Sequence, residues 1–592
     1  GLMGALDAEQ KAVVQAPSGP MLVVAGAGTG KTRALTHRVA YLLRSGVEPA
    51  RVLLCTFTNR AAREMVARVE GLSGVSARDL WAGTFHHVAN RLLREHGEAV
   101  GLSPGFSILD REDAKELLTG CVASLGDRLK RRRLPRPNVF GAIFSAAANC
   151  QISLEETVTE RYYRFKEQLP IIEEVAQLYS RRKATLNAVD FDDLLLGWLA
   201  LMTRTDGVAA QIAQKFQHVL VDEYQDVNPL QARIVDEVAL QGHGNLTVVG
   251  DDAQSIYSFR GASVDLMLRF HQRYPEVCTK KLRTNYRSTS RILDLANRSI
   301  ENNANRLPKL LQSHRGDGKR PVSVVLGTVD EQSLFVCQRL LELHQEEGIP
   351  LQEMAVLYRA HSHSMELQVE LGRRGIPFSV RSGLRFFEQA HIKDVLAYFR
   401  VLHNPADELA LTRVFGIQRG VGRVTGDRVL KWLRDQGRQR AEIRPLEELL
   451  REMVEAGAKG SKKSSKTDKA LLALARGVET MRGEVDRGGV KGAMEWLVGE
   501  PYKEYAARSY PNAEERLEDI RGLADYAVRY GDVEPFLSDL SLAGGLAAQS
   551  LEETRADDED EDRLVLSTVH QAKGLEWRVV FVIWLSEGKF PS

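Results

Sequence analysis

At 592 residues the chain is longer than one hydrophobic core can organise, so several domains or subdomains are expected. Its composition, 43% hydrophobic and 27% charged, is that of a globular protein; with no apolar run of about eighteen residues and no basic-then-apolar leader, the expectation is a cytoplasmic protein with no membrane partner. A net charge of +1 excludes a uniformly basic nucleic-acid binder, and five cysteines without CxxC spacing argue against a zinc or iron–sulfur framework. Charge is local instead, in RRRLPRP from Arg131, SKKSSKTDK from Ser461 and ADDEDED from Ala556; the last two lack apolar periodicity and read as loops.

Near the start, LDAEQ places Gln10 just upstream of a nucleotide-type loop, where a carboxamide would bond the adenine edge. The stretch PMLVVAGAGTGKTRALTHRVAYLL follows: a buried strand over Met21 to Ala25, a glycine loop, and a helix opening near Gly30 with Leu35, Val39, Leu42 and Leu43 on one face. A loop of Ala25, Gly26, Ala27, Gly28, Thr29 and Gly30 turns successive backbone N–H groups into one concavity at the positive end of a helix, which is a phosphate site. Lys31 would reach the β- and γ-phosphates, Thr32 would ligate Mg²⁺, and Arg33 lies beside them. The strict pattern begins with Gly where this chain has Ala25, and the plain alternative is an ordinary strand–helix turn.

A strand RVLLCTF and an amphipathic helix with Ala62, Met65, Val66 and Val69 on one face come next, so the alternation predicts a parallel doubly wound sheet. Phe57, Thr58, Asn59 and, after AGTF, His86 stand at strand C-termini, where such sheets bind ligands; helix capping is the alternative reading. From about 105 to 189 the pattern is helical and reads as an insertion. The alternation resumes at HVLVDEYQD, whose Asp222 would hold Mg²⁺ and whose Glu223 would act as general base toward water. In LTVVGDDAQSIYSFRGAS, Gln254 would sense the γ-phosphate, while Tyr257, Phe259 and Arg260 combine stacking platforms with a cation, the chemistry that holds single-stranded bases. LRTNYRS offers Tyr286 to adenine and Arg287 to the γ-phosphate.

Taken in order, LDAEQ, GAGTGKT, CTFTNRAAREM, GTFHH, VDFDDLL, VDEYQD, GDDAQSIYSFRGA, LRTNYRS, VLYR and STVHQAKGLEW resemble the UvrD/Rep/PcrA group of superfamily 1 DNA helicases along nearly the whole chain. The resemblance implies an α/β fold with two RecA-like cores, ATP with Mg²⁺ between them, and single-stranded DNA or a single-strand/duplex junction as partner. It places the first core at 1–104 with 190–280, its helical insertion at 105–189, the second core at 281–380 with 558–592, and a larger helical insertion at 381–557. It assigns DNA contacts to Arg359, Thr568 and His570 and nucleotide sensing to Gly574 and Glu576, and it reads Gly416 to Val429 as a glycine hairpin whose N–H groups, with Arg419 and Arg423, would hold a duplex phosphate. Ala253, Phe259 and Trp577 depart from the Asp, Trp and Phe usual there. The family's last motif, which supplies a second arginine, would fall beyond Ser592, so a shortened chain is expected. The implied activity is an ATP-driven 3′ to 5′ translocase that separates duplex in repair or replication restart, as a monomer or weak dimer. The rivals are a DNA-bound ATP switch and the motor part of a helicase–nuclease.

Overall fold

The computed structural model describes residues 2–103, 105–109, 111–126, 134–258, 261–381, 389–405, 407–439, 444–458, 466–499, 501–537, 540 and 562–590. Phe259, Arg260 and the side chain of Arg423 lie outside the described residues, as do 131–133, 461–465 and 556–561 of the three charge runs. The chain divides into two compact units, 1–323 and 324–592.

In the first unit six parallel strands form one sheet, in the order Trp81–Thr84, Val52–Thr56, His218–Val221, Leu246–Gly250, Met21–Ala25, Cys278–Leu282. The four central strands are buried at every position, as a parallel sheet covered on both faces requires. Alternate residues feed two cores. Leu22, Val24, Leu53, Cys55, Val219 and Val221 pack toward Phe85, Trp198 and Phe216, whereas Met21, Val23, Leu54 and Leu220 pack toward Leu35, Val39, Met65 and Val69. Because every strand runs the same way, the segments following Ala25, Thr56, Val221, Gly250 and Leu282 share one edge of the sheet. That edge is where a doubly wound sheet presents its ligand site.

The helical insertion has its own core of Leu118, Phe140, Ile143, Val175 and Tyr179. Its neck is closed by a parallel pairing of Ser107–Ile108 with Ala188–Val189. VDFDDLL begins the Phe191–Met202 helix: Asp190 accepts the Asp193 N–H at 2.9 Å, and Lys183 Nζ meets Asp190 at 2.6 Å.

The strand Cys278–Leu282 pairs with Met21–Ala25 along its whole length, and residues as far as 323 belong to the first unit. The chain stays on this unit just after that strand. Thr284–Asn285 pairs with Gln312–Ser313, and the turn between is pinned to the phosphate loop by contacts described below.

The second unit carries four parallel strands in the order Phe378–Val380, Leu564–Thr568, Met354–Tyr358, Val579–Val582. Its helical part, from Ala390 onward, has a separate core in which buried Asp394 accepts the Tyr502 and Tyr510 hydroxyls at 2.8 and 3.0 Å. The glycine stretch joins helices Glu408–Ile417 and Arg423–Gln439, with Gly420 at φ 88°. Among the described residues no helix is long and apolar enough to cross a membrane.

Candidate active site

The phosphate loop is built on glycines for a local reason. Gly28 (φ 70°) and Gly30 (φ 78°) occupy the left-handed region, and a Cβ on Gly28 would stand 2.7 Å from Arg287 Cβ and 2.8 Å from Asn285 Nδ2. Thr29, fully buried, ties the loop to itself through a 2.8 Å bond from Oγ1 to Gly26 O. Gly30 caps the Lys31–Arg44 helix without a side chain, so the N–H groups of the first turn are left for phosphate oxygens. Replacing Gly28 with Ala combines left-handed strain with these contacts and should raise the ATP dissociation constant by about tenfold or more, read by titration with a fluorescent ATP analogue while circular dichroism stays unchanged.

At the next strand tip, Lys31 Nζ lies 3.0 Å from Glu223 Oε2. Asp222, wholly buried beside them, has its carboxyl carried up to about 6 by burial first and by the Glu223 charge second, with Lys31 and a hydrogen bond from Thr32 pulling the other way. Glu223 itself sits at φ 51°, strained for a non-glycine residue, with its N–H donated to Asp222 Oδ1 at 2.9 Å. A cation suits this pair: a hydroxyl and a buried carboxylate meet at the foot of a phosphate loop, the partial ligand set that Mg²⁺ completes with phosphate and water. Among the described residues no cluster of three or more His, Cys, Asp or Glu forms an all-protein metal cage.

The Arg283–Ser288 turn docks onto the loop. Asn285 Nδ2 donates to Ala27 O at 2.5 Å, the Tyr286 N–H donates to Gly28 O at 2.9 Å, and Asn285 Oδ1 accepts the Arg287 N–H at 2.9 Å. Arg287 is thereby held beside the loop, its Cβ close to Gly28. Tyr286 donates to Asp7 at 2.6 Å, and its hydroxyl is pushed up to about 12 by desolvation and then by that bond, with Arg33 close enough to oppose it. Gln10 is 1% exposed and holds Thr29 O at 3.0 Å, so here its carboxamide braces the phosphate loop. Asp7, Asn285 and Gln225 went unrecognised in the sequence; the signal for Asp7 was present, since D-x-x-Q reads as a capping box, which the Ala8–Val14 helix has.

Along the same edge Phe57 and Tyr257 stack, with centroids 5.5 Å apart and planes 10° from parallel, although 200 residues separate them. Phe57 is 46% exposed, an aromatic face open to solvent. Gln254 donates to Asp251 at 2.6 Å, on the turn that leads to Tyr257. Thr58 caps the Asn59–Ser73 helix by accepting the Ala61 N–H at 3.1 Å, with Asn59 exposed at its first position. His86 meets Phe191 edge-on at 5.8 Å and is held below its ordinary value by burial, which Asp192 partly offsets.

In the second unit Arg359 follows the Met354–Tyr358 strand, and Thr568 ends the adjacent strand with its Oγ1 accepting the Gln571 N–H at 3.4 Å. His570, Gly574 (φ 85°) and exposed Glu576 lie in the turn that follows. Arg419 is exposed and 3.8 Å from Glu504.

A parallel sheet with a glycine loop, a lysine paired to a strand-tip glutamate and a buried aspartate beside the loop threonine defines a phosphate-loop nucleoside triphosphatase. The family can be named more closely. Residues 6–275 match the UvrD/REP helicase N-terminal domain and residues 280–592 match the UvrD-like helicase C-terminal domain. Similar proteins include the ATP-dependent DNA helicase PcrA of Bacillus subtilis (strain 168), 33% identical over 603 residues, covering 100% of this chain and 78% of that protein. The protein of the same name from Staphylococcus aureus (strain Mu50 / ATCC 700699) is 33% identical over 594 residues, covering 100% and 79%, and that of Leuconostoc citreum is 33% identical over 603 residues, covering 100% and 78%. The chain belongs to the UvrD/REP helicase family and is an enzyme of the ATP-dependent DNA helicase class.

Proposed function

We propose that this helicase moves 3′ to 5′ along single-stranded DNA and opens duplex at a single-strand/duplex junction, in the service of repair or replication restart, as a monomer or weak dimer. The observation that carries the reading is the Lys31–Glu223 pair on the same sheet edge as the Phe57–Tyr257 stack, which sets a hydrolytic site beside an aromatic platform. When bound, Mg²⁺ supplies positive charge to the phosphates, held by Thr32 and Asp222. Lys31 exchanges Glu223 for phosphate oxygens, and Glu223, released from that pair, accepts the proton of the attacking water. Gln254 and Arg287 contact the γ-phosphate, while Gln10, Tyr286 and Arg33 line the adenine side. Bases stack on Tyr257 and Phe57, and Phe259 and Arg260 are further DNA contacts of the same segment. In the first unit Thr58, Asn59 and His86 contact DNA; in the second, Arg359, Thr568 and His570 are its DNA contacts, Gly574 and Glu576 its nucleotide-sensing residues, and Arg419 and Arg423 its duplex contacts.

Stacking and phosphate contacts carry no base sequence, so DNA binding should be indifferent to sequence and should weaken steeply between about 50 and 200 mM salt. The direct test compares unwinding of duplexes with 3′ and 5′ single-stranded tails in the presence of ATP and Mg²⁺. Faster opening from the 3′ tail is expected, and preference for the 5′ tail refutes the polarity. Turnover of ATP no faster with single-stranded DNA than without it refutes the motor.

A further inference from the structure

Gln225 has a part in this site that the sequence did not suggest. It is fully buried, in the turn directly after Asp222 and Glu223. Its Nε2 donates to Glu223 Oε2 at 2.6 Å, the same oxygen that takes Lys31 at 3.0 Å, and lies 3.3 Å from Asp226 Oδ2. Its Oε1 accepts the Asp251 N–H at 2.9 Å. The neighbours fix which way the carboxamide points, because a carboxylate takes only a donor and a backbone N–H takes only an acceptor. Gly250 leaves the room for it: a Cβ there would stand 2.7 Å from Gln225 Oε1.

We infer that Gln225 is a positioning residue that aims the Glu223 carboxylate and ties it to the Asp251–Gln254 turn. The inference rests on the role proposed for Glu223. In the resting site two donors hold Oε2, an ammonium and an amide. Once phosphate takes Lys31, the amide still holds that oxygen and keeps the carboxylate aimed, so hydrolysis depends on it more than nucleotide binding does. The other end of the same carboxamide holds the strand-end turn from which Gln254 extends, so the base and the γ-phosphate contact are set by one side chain.

The test is Gln225→Met, which keeps length and volume but has neither donor nor acceptor. DNA-stimulated kcat for ATP should fall about 10- to 100-fold, while the dissociation constant for a fluorescent ATP analogue stays within about threefold. In a Glu223→Gln background the same substitution should change residual single-turnover phosphate release by less than about twofold, because its effect runs through Glu223. An equal fold-loss in both backgrounds would mean a structural role only, and wild-type kcat in Gln225→Met would overturn the inference. Should Gln225→Met fail to fold, Gln225→Glu decides, since it keeps the acceptor for Asp251 and loses the donor: a retained kcat overturns the inference and a lost one supports it. Wild-type-like hydrolysis by Glu223→Gln alone overturns the assignment of the base itself, a separable result.

Discussion

Glu223→Gln is expected to lower DNA-stimulated ATP turnover by about two to four powers of ten, the range a positioned general base contributes. The amide keeps the shape of the side chain and an oxygen that can still accept the Gln225 amide bond, so the fold and the strand tip should survive. What it loses is the charge that attracts a proton and pairs with Lys31 at 3.0 Å. In the resting site that pair competes with phosphate for the ammonium, so its removal leaves ATP binding at least as tight as in the wild type. DNA binding in the absence of nucleotide should be unchanged, since Phe57 and Tyr257 lie on other loops. Phosphate release with and without single-stranded DNA, beside titration with a fluorescent ATP analogue, separates these effects. Wild-type turnover, or a loss confined to ATP binding, would remove Glu223 from the role of base.

Much of this site was legible because it depends on local rules. An apolar run ending in Asp-Glu puts carboxylates at a strand tip, and a glycine loop between a buried strand and an amphipathic helix makes a phosphate cradle; both features stand in the structure. Contacts set by strand order were not legible. Phe57 and Tyr257 stack because Val52–Thr56 and Leu246–Gly250 flank the same third strand, a neighbourhood that no periodicity reveals. The Cys278–Leu282 strand was hidden for a related reason. Cys278–Leu282 is an edge strand with alternate residues partly exposed, so CTKKL lacks the apolar signature of its neighbours and reads as an ending. Thr58 and Gln10 show a third limit, since a polar side chain near a site can cap a helix or brace a loop, and residue type alone does not separate these uses.

Lys309→Met is expected to cost about 3–5 kcal/mol in local stability, the penalty for stripping one partner from a buried ionic cluster. Nothing in NRLPKLLQ marks this lysine, yet its side chain is only 7% exposed, with Nζ 2.8 Å from Asp251 and in contact with Asp252, carboxylates 3% and 4% exposed. Burial alone would lower the ammonium, but the two carboxylates outweigh it and hold Lys309 above its ordinary value. Asp252 also accepts the Leu307 N–H at 3.0 Å, and Asp251 accepts the Ala253 N–H at 3.1 Å and the Gln254 amide, so the cluster ties the end of the Leu246–Gly250 strand to the segment leading into Gln312–Ser313. Without the ammonium, two adjacent carboxylates remain out of water, and each must take a proton or open the turn to solvent. Amides of Leu246 to Gly250 and of Leu307 to Leu311 should then exchange with deuterium at least about a hundredfold faster. Adding Asp251→Asn and Asp252→Asn removes the stranded charges while keeping oxygen acceptors, and should restore protection to within about tenfold of wild type. Unchanged exchange in Lys309→Met would show that water already reaches the cluster, and that the ion pairs do not hold the turn.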